Sequence, residues 1–262
     1  MATSVNSLLG LYRHCALEAS RALRKNWLII PASLLLFLSF SLVLTLIGQS
    51  GSGIAGGFMA GLLEVLALTL YFSWLQETIR KGRLVTKEML KFDYSFFSAI
   101  LNVGFILFIA QILLSAFTQR STSIPLGPLL SFITIIVFNP IAEIIVDERA
   151  DGLGAFATAY QFVIEHWIEW FLPFALMLIP WIVISPAGPL AGLSQTNPLL
   201  PAGPLVWGTE AVGAYLLGPS ARIPSVIIGL VLANWFMVFR SLLFRELSSG
   251  SRRQRDFWAK KA

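Results

Sequence analysis

The sequence predicts an all-α polytopic membrane protein: six transmembrane helices arranged as three hairpins, each preceded by an amphipathic interfacial helix on the cytoplasmic side. Three observations carry this prediction. Hydrophobic residues make up 56% of the chain and charged residues only 13%, with a mean hydropathy of +0.75, whereas soluble domains give about a quarter of their residues to charge. Apolar runs of about twenty residues, the length that crosses a hydrocarbon core of about 30 Å, recur along the chain. Cations gather at alternate connections, the asymmetry that orients membrane proteins.

The elements follow in order. Over residues 5–25, Val5, Leu8, Leu9, Tyr12, Ala16, Ala19 and Leu23 share a helical face, Arg13, Arg21 and Arg24 oppose it, and Leu17 falls off the pattern. Basic residues opposite an apolar stripe suit an anionic leaflet. The first span runs from Trp27, an aromatic anchor, to about Gly48. An uncharged turn, Gln49 to Gly53, leads into a second span from Ile54 to about Leu75, whose Gly56, Gly57 and Gly61 permit close helix contact. The leading polar region and the span-sized first apolar run are both too long for a signal peptide, so the N-terminus is expected to be retained.

The connection from Gln76 to Ser95 carries Arg80, Lys81, Arg83, Lys87 and Lys91 and is expected to be cytoplasmic. Within it Val85, Met89, Phe92 and Phe96 form another amphipathic stripe, with Lys87 and Lys91 on the far side. The third span is about Phe97 to Phe117, followed by a short outer loop from Gln119 to Pro125. The fourth is about Leu126 to Val146, and its Asn139-Pro140 step is expected to kink it or to open a backbone carbonyl.

The chain is organised around Asn139 to Trp170, where it leaves the membrane and returns. Leu153, Phe156, Tyr160, Val163 and Trp167 line one face of a helix over 152–167, and Asp151, Thr158, Gln161 and Glu165 the opposite face. The fifth span, about Ile168 to Ile184, contains Pro173 and Pro180. An outer loop over 185–222, apolar and rich in Pro and Gly, includes a short helix from Leu205 to Leu217 and either caps the outer face or dips into the bilayer. The sixth span, Ile223 to about Phe244, precedes a basic tail over 245–262.

All but Arg120 and Arg222 of the 19 Lys and Arg fall on one side of this topology, which places both termini in the cytoplasm. The chain is then a single membrane domain over 1–262: a cytoplasmic amphipathic helix (1–26), a six-span bundle (27–244) and the tail. The amphipathic segments at 5–25, 85–96 and 152–167 each precede two spans, a threefold repeat of elements.

At Phe138-Asn139-Pro140 through Asp147-Glu148, then the Ala-rich Gly154 to Ala159 and His166-Trp167, the chain resembles a loose group of bacterial six-span membrane proteins related to the membrane domain of glycerophosphoryl diester phosphodiesterases. Arg24-Lys25-Asn26-Trp27 and Phe244-Arg245-Glu246-Leu247 are similar in style. The resemblance implies a six-span fold in a bacterial inner membrane and brings no catalytic residues with it. The long apolar outer loop departs from that group.

Glu64 lies near the middle of the second span, where an ionised carboxylate costs about 2.5 to 3.5 kcal/mol, so it has to be protonated, paired or facing water. Its readings are a structural hydrogen bond to Thr69, Gln111, Thr134 or Asn234, or a proton relay, cation coupling or headgroup cavity. Asn139, Glu143 and Asn234, with Asn102, form a second candidate intramembrane polar group. Glu143 also lies within reach of headgroups or Arg240. Candidate lipid contacts are Arg13, Arg21, Arg24, Lys87, Lys91, Trp27 and Trp167.

The net charge of +5 is explained by cations flanking spans, so nucleic acid is not expected as a partner. The two histidines, His14 and His166, lie in different amphipathic segments, and the single Cys15 has no partner for a disulfide. No metal, cofactor or catalytic constellation is therefore expected. The sequence points to a non-enzymatic accessory, scaffold or lipid-organising component that meets anionic headgroups or a larger membrane complex. The alternative is a small permease or lipid-handling transporter with a midplane carboxylate.

Overall fold

The structure is a computed structural model, described over residues 2–49, 53–84, 87, 89, 91–118, 133–134, 136–148, 150, 152–184, 199–203, 205–206, 209, 220 and 222–249. Among these the chain is all-helical, with seven α-helices and no strand. Three helical stretches are long and apolar enough to cross a membrane: Ile29–Gln49, Ala55–Lys81 and Ile223–Ser249. A further helical stretch, Tyr94–Ala110, is apolar but shorter.

Helix α1 (Ala2–Lys25) ends on Arg24 and Lys25, cations that complement the carbonyl-rich C-terminus of a helix. Cys15, Ala19 and Leu23, spaced one turn apart, are buried, and α1 packs along α7 (Arg222–Ser249), the last helix among the described residues. Small side chains at two of these three positions let the helices approach closely. Leu9 and Leu17 are exposed, so the buried stripe is narrower than the periodicity predicts, and Leu17 lies off it as expected.

A turn at 26–28 leads to α2 (Ile29–Gln49), in which Pro31 falls within the first turn, where a missing N–H breaks no intrahelical bond. Helix α3 (Gly53–Gln76) continues into a π-helical turn, Glu77–Lys81. That turn closes on Gly82, whose φ of 60° a side-chain-bearing residue rarely adopts. Among the described residues a Cβ at Gly57 or Gly61 would meet nothing within 4 Å, so neither glycine lies at a close helix contact there.

Helix α4 (Tyr94–Thr118) starts late. The stripe expected over 85–96 is not one helix, because residues 91–93 lie outside any helix. The cause is Asp93, whose Oδ1 accepts from the Ser95 N–H (3.0 Å) and Oγ (2.6 Å) and so caps α4 instead of continuing a helix through it. Upstream, the Trp74 indole N–H donates to the Met89 carbonyl at 2.7 Å and holds the segment against α3. The loop expected at 119–125 and residues 250–262 of the expected tail lie outside the described residues, while 245–249 continue the helix that begins at Arg222.

The chain turns at 138–140 into the short α5 (Ile141–Glu148), so the Asn139-Pro140 step does break the helix there. Helix α6 (Gly152–Ile184) joins the amphipathic segment to the apolar run that follows, with a kink at His166 (φ −127°, ψ 22°). The kink falls one residue before Trp167, where the sequence predicts the change from surface helix to span. Pro173, further along, leaves the Glu169 carbonyl without its intrahelical N–H, and the Tyr12 hydroxyl donates to that oxygen at 2.8 Å.

Most of 185–222 lies outside the described residues. Within it Leu199, Ala202 and Val206 are buried, and 203, 205, 206 and 209 are helical. This piece lies against α7 at Gly229, where a Cβ would come within 2.8 Å of Val206 Cα and 3.0 Å of the Leu205 carbonyl oxygen. Gly229 is about two turns, or roughly 10 Å, along α7 from its start.

The core gathers at one end of the bundle. Phe72 and Leu75 of α3, Phe96 and Ile100 of α4, Ile141, Ile144 and Ile145 of α5, and Met237, Leu243 and Phe244 of α7 are all nearly inaccessible. By contrast, α2 exposes Leu35, Leu38, Leu42 and Leu46, and α4 exposes Phe105, Phe108 and Ile112. In water such an apolar surface would drive association.

Candidate functional site

The break at Pro140 positions a buried ionic site. Helix α5 begins just after it and buries Glu143 (1% exposed), while α7 brings Arg240 (2% exposed) to the same point. The guanidinium grips the carboxylate with both ends: Nε donates to Oε1 at 2.7 Å and Nη2 to Oε2 at 3.0 Å. Nη2 also donates to the Asn139 carbonyl at 2.9 Å. That carbonyl lies just ahead of Pro140, and it gives the arginine a third acceptor. The Trp170 ring, 4.5 Å from the guanidinium carbon, covers the cation, with Phe174 and Phe236 at 5.8 and 5.7 Å.

Trp170 is itself fixed by donating its indole N–H to Asn139 Oδ1 at 2.9 Å. The other end of that amide, Nδ2, is buried with no hydrogen-bond partner among the described residues. Bidentate pairing, a third acceptor and an aromatic lid are what a buried ion pair needs if its attraction is to offset desolvation. The arrangement clamps α5, α6 and α7 together. It holds no nucleophile and no acid–base pair poised for proton transfer.

A second polar contact ties α7 to α2. Asn234 Nδ2 donates to Ser33 Oγ at 2.9 Å and to the Leu230 carbonyl at 2.8 Å. A third ties α7 to α1, through the Trp235 indole N–H and Ser20 Oγ at 3.0 Å. At the α1–α2 corner, Asn26 is buried, accepts from the Leu84 N–H at 2.6 Å and donates to the Ala22 carbonyl at 2.8 Å. Gln76 Nε2 donates to the Val146 carbonyl at 2.9 Å, and Arg80 reaches the carbonyl and carboxylate of Asp147, so the end of α5 is held from α3.

Of the polar residues singled out from the sequence, Asn139 and Glu143 therefore meet around Arg240. Asn234 is on the same helix as Arg240 but faces α2, Asn102 is exposed on α4, and Glu64 is half-buried on α3 and takes no part in the Glu143–Arg240 network. Arg13, Arg21, Arg24, Lys87 and Lys91 are exposed, as are the rings of Trp27 (61%) and Trp167 (60%). Trp170, Asn26, Ser33 and Tyr12 were not singled out. Arg240 had a signal of its own, since it is the only cation inside the apolar run from Ile223 to Phe244.

Two groups of α1 titrate outside their ordinary range. Burial, reinforced by the Glu169 carboxylate, pushes the Tyr12 phenol up to about 12. Burial, and then Glu246, pushes the Cys15 thiol up to about 12, so it behaves as an inert apolar side chain. Among the described residues no group of three or more His, Cys, Asp and Glu is placed to hold a metal ion.

No protein-family model, curated protein or solved structure matches the chain.

Proposed function

We propose that this chain is an integral protein of a bacterial inner membrane, with six spans and both termini cytoplasmic, and that it is a non-enzymatic lipid-organising or accessory component. The observation that carries the reading is the first half of α6, which has three faces. One is buried in the protein: Ala155, Phe156, Ala159, Phe162 and His166. A second is apolar yet exposed, with Leu153, Tyr160, Ile164 and Trp167 all more than half accessible. The third is polar, through Thr158, Gln161 and Glu165.

Each face takes roughly a third of the circumference at 3.6 residues per turn. A helix packed on a soluble core needs two faces. Three suit a helix at the headgroup layer, with protein, acyl chain and water each taking one. The exposed cations of α1 and the rings of Trp27 and Trp167 suit the same level. The buried ionic site supports a scaffold over a permease, because its charges are spent on one another.

Spin labels test the reading. In a Cys15→Ser background reconstituted into lipid nanodiscs, a label at Ile164→Cys should collide with dissolved oxygen and one at Gln161→Cys with a water-soluble nickel chelate. Equal access of the chelate to both positions would refute the interfacial placement.

A further inference from the structure

A cavity of about 500 Å³ opens between the π-helical turn and the start of α4, within the ~300–1,000 Å³ range of small-ligand sites. π-Helical turns are rare and favour functional sites. This one supplies Glu77, Arg80 and Lys81 to the cavity wall, and the segment before α4 supplies Lys91 and Asp93. The rings of Phe92 and Tyr94 border it and are exposed.

The wall thus carries both signs of charge. A simple anion would meet the cations but lie beside two carboxylates, and a simple cation would face the reverse. A ligand holding a phosphate and an ammonium a few ångströms apart satisfies both. Glu77 is mostly buried at the wall and bonds Lys81 at 3.0 Å, Arg80 is anchored through Asp147, and Lys91 makes no ion pair among the described residues. Lys91 is therefore the cation most available to a phosphate.

We propose that this cavity binds the headgroup of an aminophospholipid, a phosphoethanolamine ester of diacylglycerol. The phosphate meets Lys91 and Arg80, the ammonium turns toward Glu77, and the acyl chains pass the exposed Tyr94 ring onto the exposed Phe105 and Phe108 of α4. The inference rests on the reading that α3 and α4 cross the bilayer, which puts their facing ends at headgroup level.

Native mass spectrometry of the full chain in detergent tests it, with short-chain phosphatidylethanolamine, phosphatidylglycerol and phosphatidylcholine as probes and O-phosphoethanolamine and inorganic phosphate as soluble competitors. One copy of phosphatidylethanolamine should bind at least about 5-fold more tightly than either other lipid, the trimethylated choline having lost its N–H donors. Lys91→Ala should weaken it about 5- to 10-fold, and Glu77→Gln should bring it level with phosphatidylglycerol. Lys91 is exposed and holds no part of the fold, so its variant tests binding alone. Equal binding of phosphatidylglycerol by the wild type would overturn the zwitterion assignment. Competition by either soluble compound as strong as by the lipid would overturn the lipid assignment. Lipid retained equally by wild type and variants, or no lipid bound at all, would remove the cavity while leaving the membrane reading to the spin labels.

Discussion

Changing Glu143 to glutamine keeps the side chain's shape and one acceptor oxygen but leaves Arg240 charged, 2% exposed and without a counter-ion. Breaking a buried ion pair from one side costs about 3–5 kcal/mol. The lower end applies here, because the Asn139 carbonyl and the Trp170 face remain on the guanidinium. A loss of about 3 kcal/mol corresponds to a fall of roughly 6–12 °C in melting temperature by the scaling of soluble chains of similar size. Far-ultraviolet circular dichroism in detergent micelles would measure it. The double variant Glu143→Leu with Arg240→Met removes both charges, and only the Asn139 carbonyl then loses its donor, at about 1–2 kcal/mol. The double should therefore be more stable than Glu143→Gln. A single variant within about 2 °C of the wild type, less than 1 kcal/mol on that scaling, would refute the clamp, as would a double variant that loses the sum of both singles.

Two further outcomes follow from the packing. Gly229→Leu should push the 199–209 segment off α7, since the backbone of Leu205 and Val206 occupies the space of the new side chain; a loss of about 1–3 kcal/mol and faster proteolysis within 199–209 are expected, and unchanged cleavage would count against the contact. Cys15 should react with N-ethylmaleimide only on unfolding, at any pH up to 9. Its thiol is raised from 9.0 to about 12 in the folded chain, so the associated stability is complete below pH 9 and is lost as pH climbs toward 12, and Cys15→Ala should flatten that part of the melting-temperature profile. Rapid labelling of the folded protein would show the thiol to be accessible.

Periodicity told which residues lie on a helix, and it located α1 and the two parts of α6 joined at His166, because burying an apolar stripe is a local demand written every three or four residues. It did not tell which side of an apolar stripe meets protein and which is left exposed. Leu153, Tyr160 and Trp167 share a stripe with Phe156, yet they are exposed and Phe156 is buried. A hydrocarbon chain and a neighbouring helix exert the same preference for apolar side chains, so composition alone does not separate them. The break at Asn139-Pro140 was legible because proline's missing donor acts within one turn. That an arginine from 101 positions away meets the Asn139 carbonyl beside the break is a matter of tertiary geometry. The stripe at 85–96 misled because Asp93 also obeys a local rule, capping, and one well-placed carboxylate outweighed a weak periodic signal.

The pairing of Glu143 with Arg240 has a consequence for biosynthesis. The two residues are 97 positions apart, and at about 5–20 residues per second a ribosome needs roughly 5–20 s to pass from one to the other. Throughout that interval the carboxylate has been made and its counter-ion has not. Helix α1 likewise waits for α7, which begins 197 positions (222 − 25) after α1 ends. The nascent chain must therefore keep Glu143 in water, protonated or otherwise sheltered until α7 has been made. The Glu143–Arg240 clamp and the packing of α1 on α7 thus both form only after α7 has been made.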